Sequence, residues 1–459
     1  METGSIDASF AVARESRRRN LLVWRLAAVA GFTGVLFGYD ISAINDAVVF
    51  MQRRFALTSL DRGVVVSALL LGALVGALGA GKLADTWGRR RSVVVAGLAA
   101  AAGALLAGLA VNVPMLLAGR LIVGVAVGVT SAISPLYIAE LAPARTRGSM
   151  VALYQMSITL GILAALAVGV AFTPTANWRI MIAAGAVPAI AQVLAMAIVP
   201  ESPRYLVTRG RLDAARRVLT RLRPAGDVDH ELDDIAALHR TTAGTRYRDV
   251  FGRAARPALI IGVGAALMNA LVGVGAVIYY STDIFQTAGV SSAEVASLAV
   301  GAANTVMTIV AIFLIARFGR RPLLLVGLTG IVISLVVAGV ALVASAPGWI
   351  AVVGLIGFIG CFAISAGPIA WVIVAEVFPL AIRGRAASFA TSTNWAANFV
   401  LALVFPLFVG TPGVPDRVGV AFFIYAAISV GLIVFVARLV PETKDRTLEE
   451  IEADLSVRV

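Results

Sequence analysis

Ten long stretches of this chain contain no Asp, Glu, Lys or Arg. They run over 63–81, 92–119, 121–139, 148–178, 180–200, 257–282, 295–316, 322–375, 386–415 and 418–437. A helix rises 1.5 Å per residue, so about 20 apolar residues cross the hydrocarbon core of a bilayer. Stretch 322–375 is too long for one crossing, and Ser345-Ala346-Pro347-Gly348 divides it. Stretch 26–50 is interrupted only by Asp40 and Asp46. Twelve membrane helices are therefore predicted, near 24–45, 62–84, 92–111, 115–138, 150–172, 178–198, 257–280, 294–316, 322–343, 350–374, 386–409 and 419–439. Frequent glycine within them suits close helix packing in lipid. A transmembrane barrel would instead show short alternating strands. The expected fold class is an all-α membrane protein.

Composition agrees. Hydrophobic residues make up 59% of the chain and charged residues 14%, against about 45–50% and 25% in soluble domains. That excludes an ordinary water-soluble enzyme and a disordered chain. The one cysteine, Cys361, excludes a disulfide framework, and two histidines, His230 and His239, leave no metal-ligand set. No nucleophile–base pair is apparent and there is no Gly-x-x-x-x-Gly-Lys-Ser/Thr, so neither catalysis nor ATP coupling is expected. No cofactor and no metal are predicted.

The net charge of +12 raises the question of nucleic acid. Placement answers it. With the N-terminus set inside, 32 of the 38 basic residues fall on the inner side, and Arg53, Arg54, Arg62, Arg179 and Arg417 on the outer. Arg120 lies within a span. The positive-inside rule then places both termini in the cytoplasm and makes the charge topological. Arg17-Arg18-Arg19 ahead of the first span resembles the basic start of a signal peptide, but no small-residue cleavage site follows, so that span is read as uncleaved.

The chain repeats itself. Gly88-Arg89-Arg90 follows span 2 and Gly319-Arg320-Arg321 follows span 8. Glu140-Leu-Ala-Pro143 with Arg147 follows span 4, and Glu376-Val-Phe-Pro379 with Arg383 follows span 10. Pro200-Glu201-Ser202 ends span 6 and Pro441-Glu442-Thr443 ends span 12. Three motif pairs at equivalent loops define two parallel six-helix halves, a recurring plan of secondary transporters. The organisation read from this is a cytoplasmic tail 1–21, a first half 22–200, an intracellular helical linker 201–256, a second half 257–440 and a cytoplasmic tail 441–459. Amphipathic patterning at Asp213 to Leu219 and Glu231 to Leu238 predicts two or three short linker helices.

At these residues the chain resembles the sugar porter family of the major facilitator superfamily. The likeness covers 22–455. It rests on Gly34-Val-Leu-Phe-Gly-Tyr-Asp40, Gly81-Lys-Leu-Ala-Asp-Thr-Trp-Gly-Arg-Arg-Arg91, Gly119-Arg120, Pro200-Glu-Ser-Pro-Arg204, Gly367-Pro368-Ile-Ala-Trp371, Asn394-Trp395 and Pro441-Glu-Thr443. The resemblance implies import of a monosaccharide or related polyol with a proton, by alternating access, across the cell membrane. Expected partners are the sugar, the proton and the bilayer, with no nucleic acid, and the chain is expected to work as a monomer. Alternatives are an uncoupled sugar facilitator and an exporter of a less polar metabolite or drug.

Asp40 and Arg120 are the charges hardest to explain as filler, since an ionised group near a helix centre costs about 2.5–3.5 kcal/mol. Each lies about five residues from the outer end of its predicted span, at one depth. They are expected to form an ion pair that protonation of Asp40 opens. Asp46 is expected to be solvated. Arg89, Arg90, Arg147, Arg320 and Arg383 are expected to pair with Glu140, Glu201, Glu376 and Glu442 as an inner gate when the two halves close, with Asp85 beside them.

Sugar binding needs buried amides and an aromatic face. By motif position the family's site maps onto Gln155, Asn304, Gly367, Trp371, Asn394 and Asn398, with Tyr279 and Tyr280 as outer-gate tyrosines. Family members usually carry Gln-Gln, and Asn five residues later, in span 7. Here those positions are Asn269, Ala270 and Gly275. Asn269 keeps one amide, so a less polar and roomier site is expected, for a substrate bulkier or less hydroxylated than glucose or for a hexose bound weakly.

Overall fold

A computed structural model describes residues 17–18, 20–143, 147–224, 227–242, 247–379, 382–410 and 414–444. The Arg147 side chain and tail residues 445–459 lie outside the described residues. Among the described residues, twelve helices are long and apolar enough to cross a membrane. Spans 1 to 6 are Asn20–Phe55, Ser59–Trp87, Arg89–Gly108, Val113–Leu141, Leu153–Thr175 and Trp178–Met196. Spans 7 to 12 are Arg256–Thr287, Ala293–Ile315, Arg320–Val343, Gly348–Glu376, Arg383–Val409 and Pro415–Leu439. The largest difference from expectation is span 1, which continues past residue 45 to Phe55. That extension carries Asp46, Arg53 and Arg54, which a count of apolar residues leaves outside the span.

Spans 1 and 6 are interrupted at Phe32 and at Ala184-Gly185 with helical dihedrals kept, and two spans break with a residue outside the helical region. Span 7 consists of helices Arg256–Leu271 and Val274–Thr287, joined through Gly273 at φ 90°, a conformation that costs glycine nothing. Span 10 consists of Gly348–Ile364 and Ala366–Glu376, joined at Ser365, whose φ of −130° and ψ of −98° lie outside the helical region. Broken helices at membrane depth are tolerated where they are buried in protein or line a cavity.

Small residues set the crossing of spans 2 and 4. On span 2, Gly72 and Gly76 leave no room for a Cβ against Leu121 O and Val125 O of span 4. On span 4, Gly124 and Gly128 leave none against Leu69 O and Ala73 O of span 2. The two four-residue glycine pairs thus let backbones meet directly, the device lipid favours because it offers no hydrophobic drive between helices. The most extensive contacts between the halves are of span 1 with span 7, span 2 with span 11, and span 5 with span 8.

The linker forms helices Pro203–Thr208, Leu212–Leu222 and Val228–Thr242 around Leu206, Ala215, Leu219, Leu232 and Ile235. Arg223 docks it beneath span 4. Its guanidinium donates to Leu141 O (2.9 Å) and Ala142 O (3.1 Å) while pairing with Glu231 (2.6 Å). A cation there meets the exposed carbonyls and negative end of a helix.

Candidate transport site

Span 1 brings Tyr39 and Asp40 to span 6. The Tyr39 hydroxyl donates to Met181 O at 2.8 Å. Asp40 is 6% exposed, with Oδ1 packed on the backbone of Gly185 and Oδ2 buried without a hydrogen-bond partner. Arg120, 4% exposed, is the cation whose field reaches Asp40. Yet it does not touch the acid. Its Nε donates to Val65 O (2.8 Å) and Nη2 to Val66 O (3.4 Å), and among the described residues no cation lies within 4.0 Å of Asp40. The expected ion pair is therefore open in this conformation. Carbonyls near the start of span 2 take the guanidinium instead, leaving the carboxyl in a place that favours its neutral form. The depth estimate also changes, since span 1 rises well beyond the residue taken as its end.

Three amides cluster where spans 7 and 10 break. Asn398 Nδ2 donates to Asn394 O (3.1 Å) and Oδ1 (3.2 Å). Asn394 Nδ2 donates to Ala266 O (2.7 Å) and Asn269 Oδ1 (3.4 Å). Asn269 Nδ2 donates to Ala366 O (3.3 Å) and Gly367 O (3.4 Å). This chain of bonds ties spans 7, 10 and 11 together and satisfies carbonyls next to the break in span 10. Asn304, by contrast, lines a separate cavity of about 10 Å³ with Ser42, Ser281 and Ser297, room for one water. Gln155 and Trp371 are half-buried and stand outside the amide chain. Trp395, a neighbour of Asn394 that the sequence reading did not select, packs edge-on against Phe37 at 5.4 Å with its indole N–H buried and unpartnered. A buried indole normally finds an acceptor, which was the signal available.

The departures in span 7 do not open room. Ala270 is fully buried in packing. A Cβ at Gly275 would meet the Tyr279 ring at 3.0 Å and Asn398 Oδ1 at 3.3 Å. The site is poorer in amides, as expected, but the Tyr279 ring already occupies the space. Tyr280 ties span 7 to span 11, donating to Ala402 O (2.9 Å) and stacking on Phe405 at 5.2 Å.

At the end of the bundle away from the linker, the far end, the halves are joined by polar side chains. Asn45 Nδ2 donates to Thr282 Oγ1 at 2.9 Å, and Asn45 Oδ1 accepts from Ser281 Oγ and Thr282 N, both at 3.2 Å. Thr282 Oγ1 donates to Asp46 Oδ1 at 2.5 Å and meets Ser297 Oγ at 2.8 Å. Asp46, expected in solvent, is 3% exposed. Arg62, assigned to an outer loop, is 1% exposed; its Nη1 lies 3.4 Å from Asp283 Oδ1 and its guanidinium sits 6.0 Å from the Tyr280 ring. Both residues turn inward because the faces carrying them meet the opposite half, which loop counting does not reveal.

At the linker end several of the expected acids and bases meet, in this conformation with the far end closed. Arg89 makes a two-pronged bond to Glu140 (3.1 and 3.2 Å), and Arg320 Nη2 bonds Glu376 (3.0 Å). Glu201 Oε1 accepts from Arg89 N (2.9 Å) and Arg90 N (3.2 Å), and Glu442 accepts from Arg320 N (3.0 Å) and Arg321 N (3.1 Å). Asp85 approaches Arg89 at 3.5 Å, Arg90 Nε donates to Met196 O (2.8 Å), and Arg383 Nε donates to Phe378 O (3.0 Å). Each of these bonds stays within one half. The glutamates of the two proline motifs act as caps at the positive N-termini of spans 3 and 9. Burial alone would raise the Glu442 carboxyl, but backbone N–H groups of Arg320, Lys444, Arg321 and Thr443 outweigh it and hold it below the usual carboxylate range. The same construction appears twice, so the sequence repeat is also a structural one.

Two six-helix repeats, broken helices meeting at buried amides, and an acid buried within a span are the plan of a secondary transporter. The chain belongs to the sugar porter family of the major facilitator superfamily: residues 26–455 match the family described as "Sugar (and other) transporter". It is 38% identical over 428 residues to the putative metabolite transport protein YwtG of Bacillus subtilis, covering 92% of this chain and 93% of that one. It is 37% identical over 434 residues to a D-xylose transporter of Levilactobacillus brevis, covering 93% and 94%. Among solved structures it resembles the proton:xylose symporter XylE bound to 6-bromo-6-deoxy-D-glucose, with a TM-score of 0.81 and 30% identity over 94% of this chain and 99% of that one.

Proposed function

We propose that this chain carries a monosaccharide or related polyol into the cell together with a proton. The observation that carries the coupling is Asp40: a buried carboxyl, Oδ2 unpartnered, within the field of Arg120 yet not bonded to it. When the far end opens, water reaches this acid and Arg120 can swing to it. When the far end closes, a neutral carboxyl is the cheaper occupant. Proton loading and conformation are thereby linked, and each ligand acts only through its different affinity for the two states. The basic residues at the linker end support an orientation with both termini in the cytoplasm of a cell-membrane protein. One inward charge gains about 2.3 kcal/mol per 100 mV, enough for roughly 50-fold accumulation.

Substrate hydroxyls would meet Asn269, Asn394, Asn398 and Asn304, with Trp371 and Gln155 completing the wall. Glycine and alanine in span 7 favour a solute with fewer hydroxyls than glucose, such as a pentose or deoxysugar. The filled space beside Gly275 does not favour a bulkier one. The test is uptake of labelled hexoses, pentoses, inositol and sugar alcohols into proteoliposomes, with and without an inward proton gradient. Gradient-driven accumulation of one class supports the proposal. Flux of none of them, by folded protein, sinks it.

A further inference from the structure

The mechanism above uses one buried acid, and the far end holds a second. Asp46 lies about one and two-thirds helical turns beyond Asp40 on span 1, at the seam between the halves. Its Oδ1 accepts from Thr282 Oγ1 of the opposite half (2.5 Å) and from Asn45 Nδ2 (3.2 Å), and Oδ2 lies against the Gly169 backbone, where no Cβ would fit. From the neighbouring elements, Glu294 comes from span 8, Tyr279, Tyr280 and Asp283 from span 7, Arg62 from span 2, Arg120 from span 4 and Arg179 from span 6. None of the described cations lies within 4.0 Å of Asp46. Arg62 is engaged by Asp283, and the charge that reaches Asp46 is that of another acid, Glu294.

An ionised carboxylate is stable in such a place only with a cation or a full set of donors. The seam supplies one hydroxyl and one amide, and an acidic neighbour opposes the charge. Opening the far end would part Asp46 from Thr282 and admit water, where an ordinary carboxylate ionises. We propose that Asp46 is a second proton-binding site, distinct from the coupling acid, whose loading permits the far end to close. Closed, it adjoins the Thr282–Ser297 hydroxyl pair, and Ser297 lines a cavity with room for a single water. On this proposal its proton returns to the side from which it came. Asp46 makes far-end closure depend on proton concentration without adding a transported proton.

The linkage fixes the sign. The closed state binds one proton more than the open state wherever open Asp46 is ionised and closed Asp46 is not. Over that range the closed-to-open ratio falls about tenfold per unit rise in pH. The test uses spin labels at Arg53→Cys and Gln286→Cys, exposed at the far ends of spans 1 and 7, with Cys361→Ser. Distances are read in lipid nanodiscs, where pH is equal on both faces, so neither orientation nor transport enters and failure is separable from failure of symport. Asp40→Asn is built in to silence the first acid. The expected result is a closed population that declines with pH, and a flat profile once Asp46→Asn is added. Thr282→Val should lower the closed population and keep the slope. A flat profile before Asp46 is altered overturns the proposal, as does an undiminished slope in Asp46→Asn. In proteoliposomes the proton-to-substrate ratio should be equal with Asp46 and with Asp46→Asn; a ratio that falls would make Asp46 a carrier and overturn the claim that it only gates.

Discussion

Replacing Asn45 by alanine should unlatch the far end. Its amide makes three hydrogen bonds to the opposite half: to Thr282 Oγ1 at 2.9 Å, and from Ser281 Oγ and Thr282 N at 3.2 Å. All are buried and none survives opening. A net value of about 1 kcal/mol for the first and somewhat less for the two longer bonds gives roughly 2–3 kcal/mol lost from closure. The open population should then rise about 30- to 150-fold. Ser42 provides the reporter, since it is buried beneath the latch and lines the single-water cavity. A cysteine there, with Cys361→Ser, should react with a membrane-impermeant maleimide only when the far end opens. Asn45→Ala should raise the labelling rate by the same factor as the open population. Thr282→Val removes the hydroxyl acceptor of one of these bonds and leaves its backbone N–H in place, so the two substitutions should combine to less than the product of their separate effects. An unchanged labelling rate, or effects of the two substitutions that multiply fully, would refute the argument that these bonds hold the halves together.

Three other substitutions probe the frame around the site. Gly76→Leu puts a side chain where no Cβ fits against Val125 O, and should lower the unfolding midpoint in detergent, while Gly79→Leu, with no atom within 4 Å of its Cβ position, should not. Glu442→Gln removes the charge that caps span 9. Because the Glu442 carboxyl is held below its usual range when folded, its contribution is present above that range and is lost as pH falls through it. The stability gap between wild type and Glu442→Gln, measured by thermal unfolding, should therefore narrow in acid and persist at neutral pH; a gap that widens in acid would contradict the capping role. Asn394→Ala breaks the 2.7 Å bond to Ala266 O and the link to Asn269, and should weaken substrate binding about tenfold or more in equilibrium titration with little loss of folding.

The helices were legible because bilayer crossing excludes charge, and charge is directly visible in a sequence. The repeat was legible because Gly-Arg-Arg and Pro-Glu recur at equivalent loops. The structure explains the recurrence of Pro-Glu as helix capping by Glu201 and Glu442. That partner choice was not legible: a charge pattern says that acids and bases are available, and only packing says which half each one faces. Asp46 and Arg62 show the same limit. One was read as the end of a span and the other as a loop cation, yet both face the seam. A signal was present in Asn45-Asp46 and Ser281-Thr282-Asp283, polar clusters at the same depth on spans 1 and 7. Asn394 and Asn398 were legible as buried amides at helical spacing, whereas Ala270 and Gly275 misled, because a missing side chain reads as space until a ring such as Tyr279 is found filling it.

The central claim is that Asp40 carries the coupled proton. It is tested most directly by substrate-induced proton entry into proteoliposomes loaded with a pH-sensitive dye. The account predicts that adding substrate outside acidifies the lumen, and that Asp40→Asn abolishes this signal while substrate exchange across the membrane continues. Acidification that persists in Asp40→Asn, or exchange that disappears together with it in folded protein, would contradict the assignment.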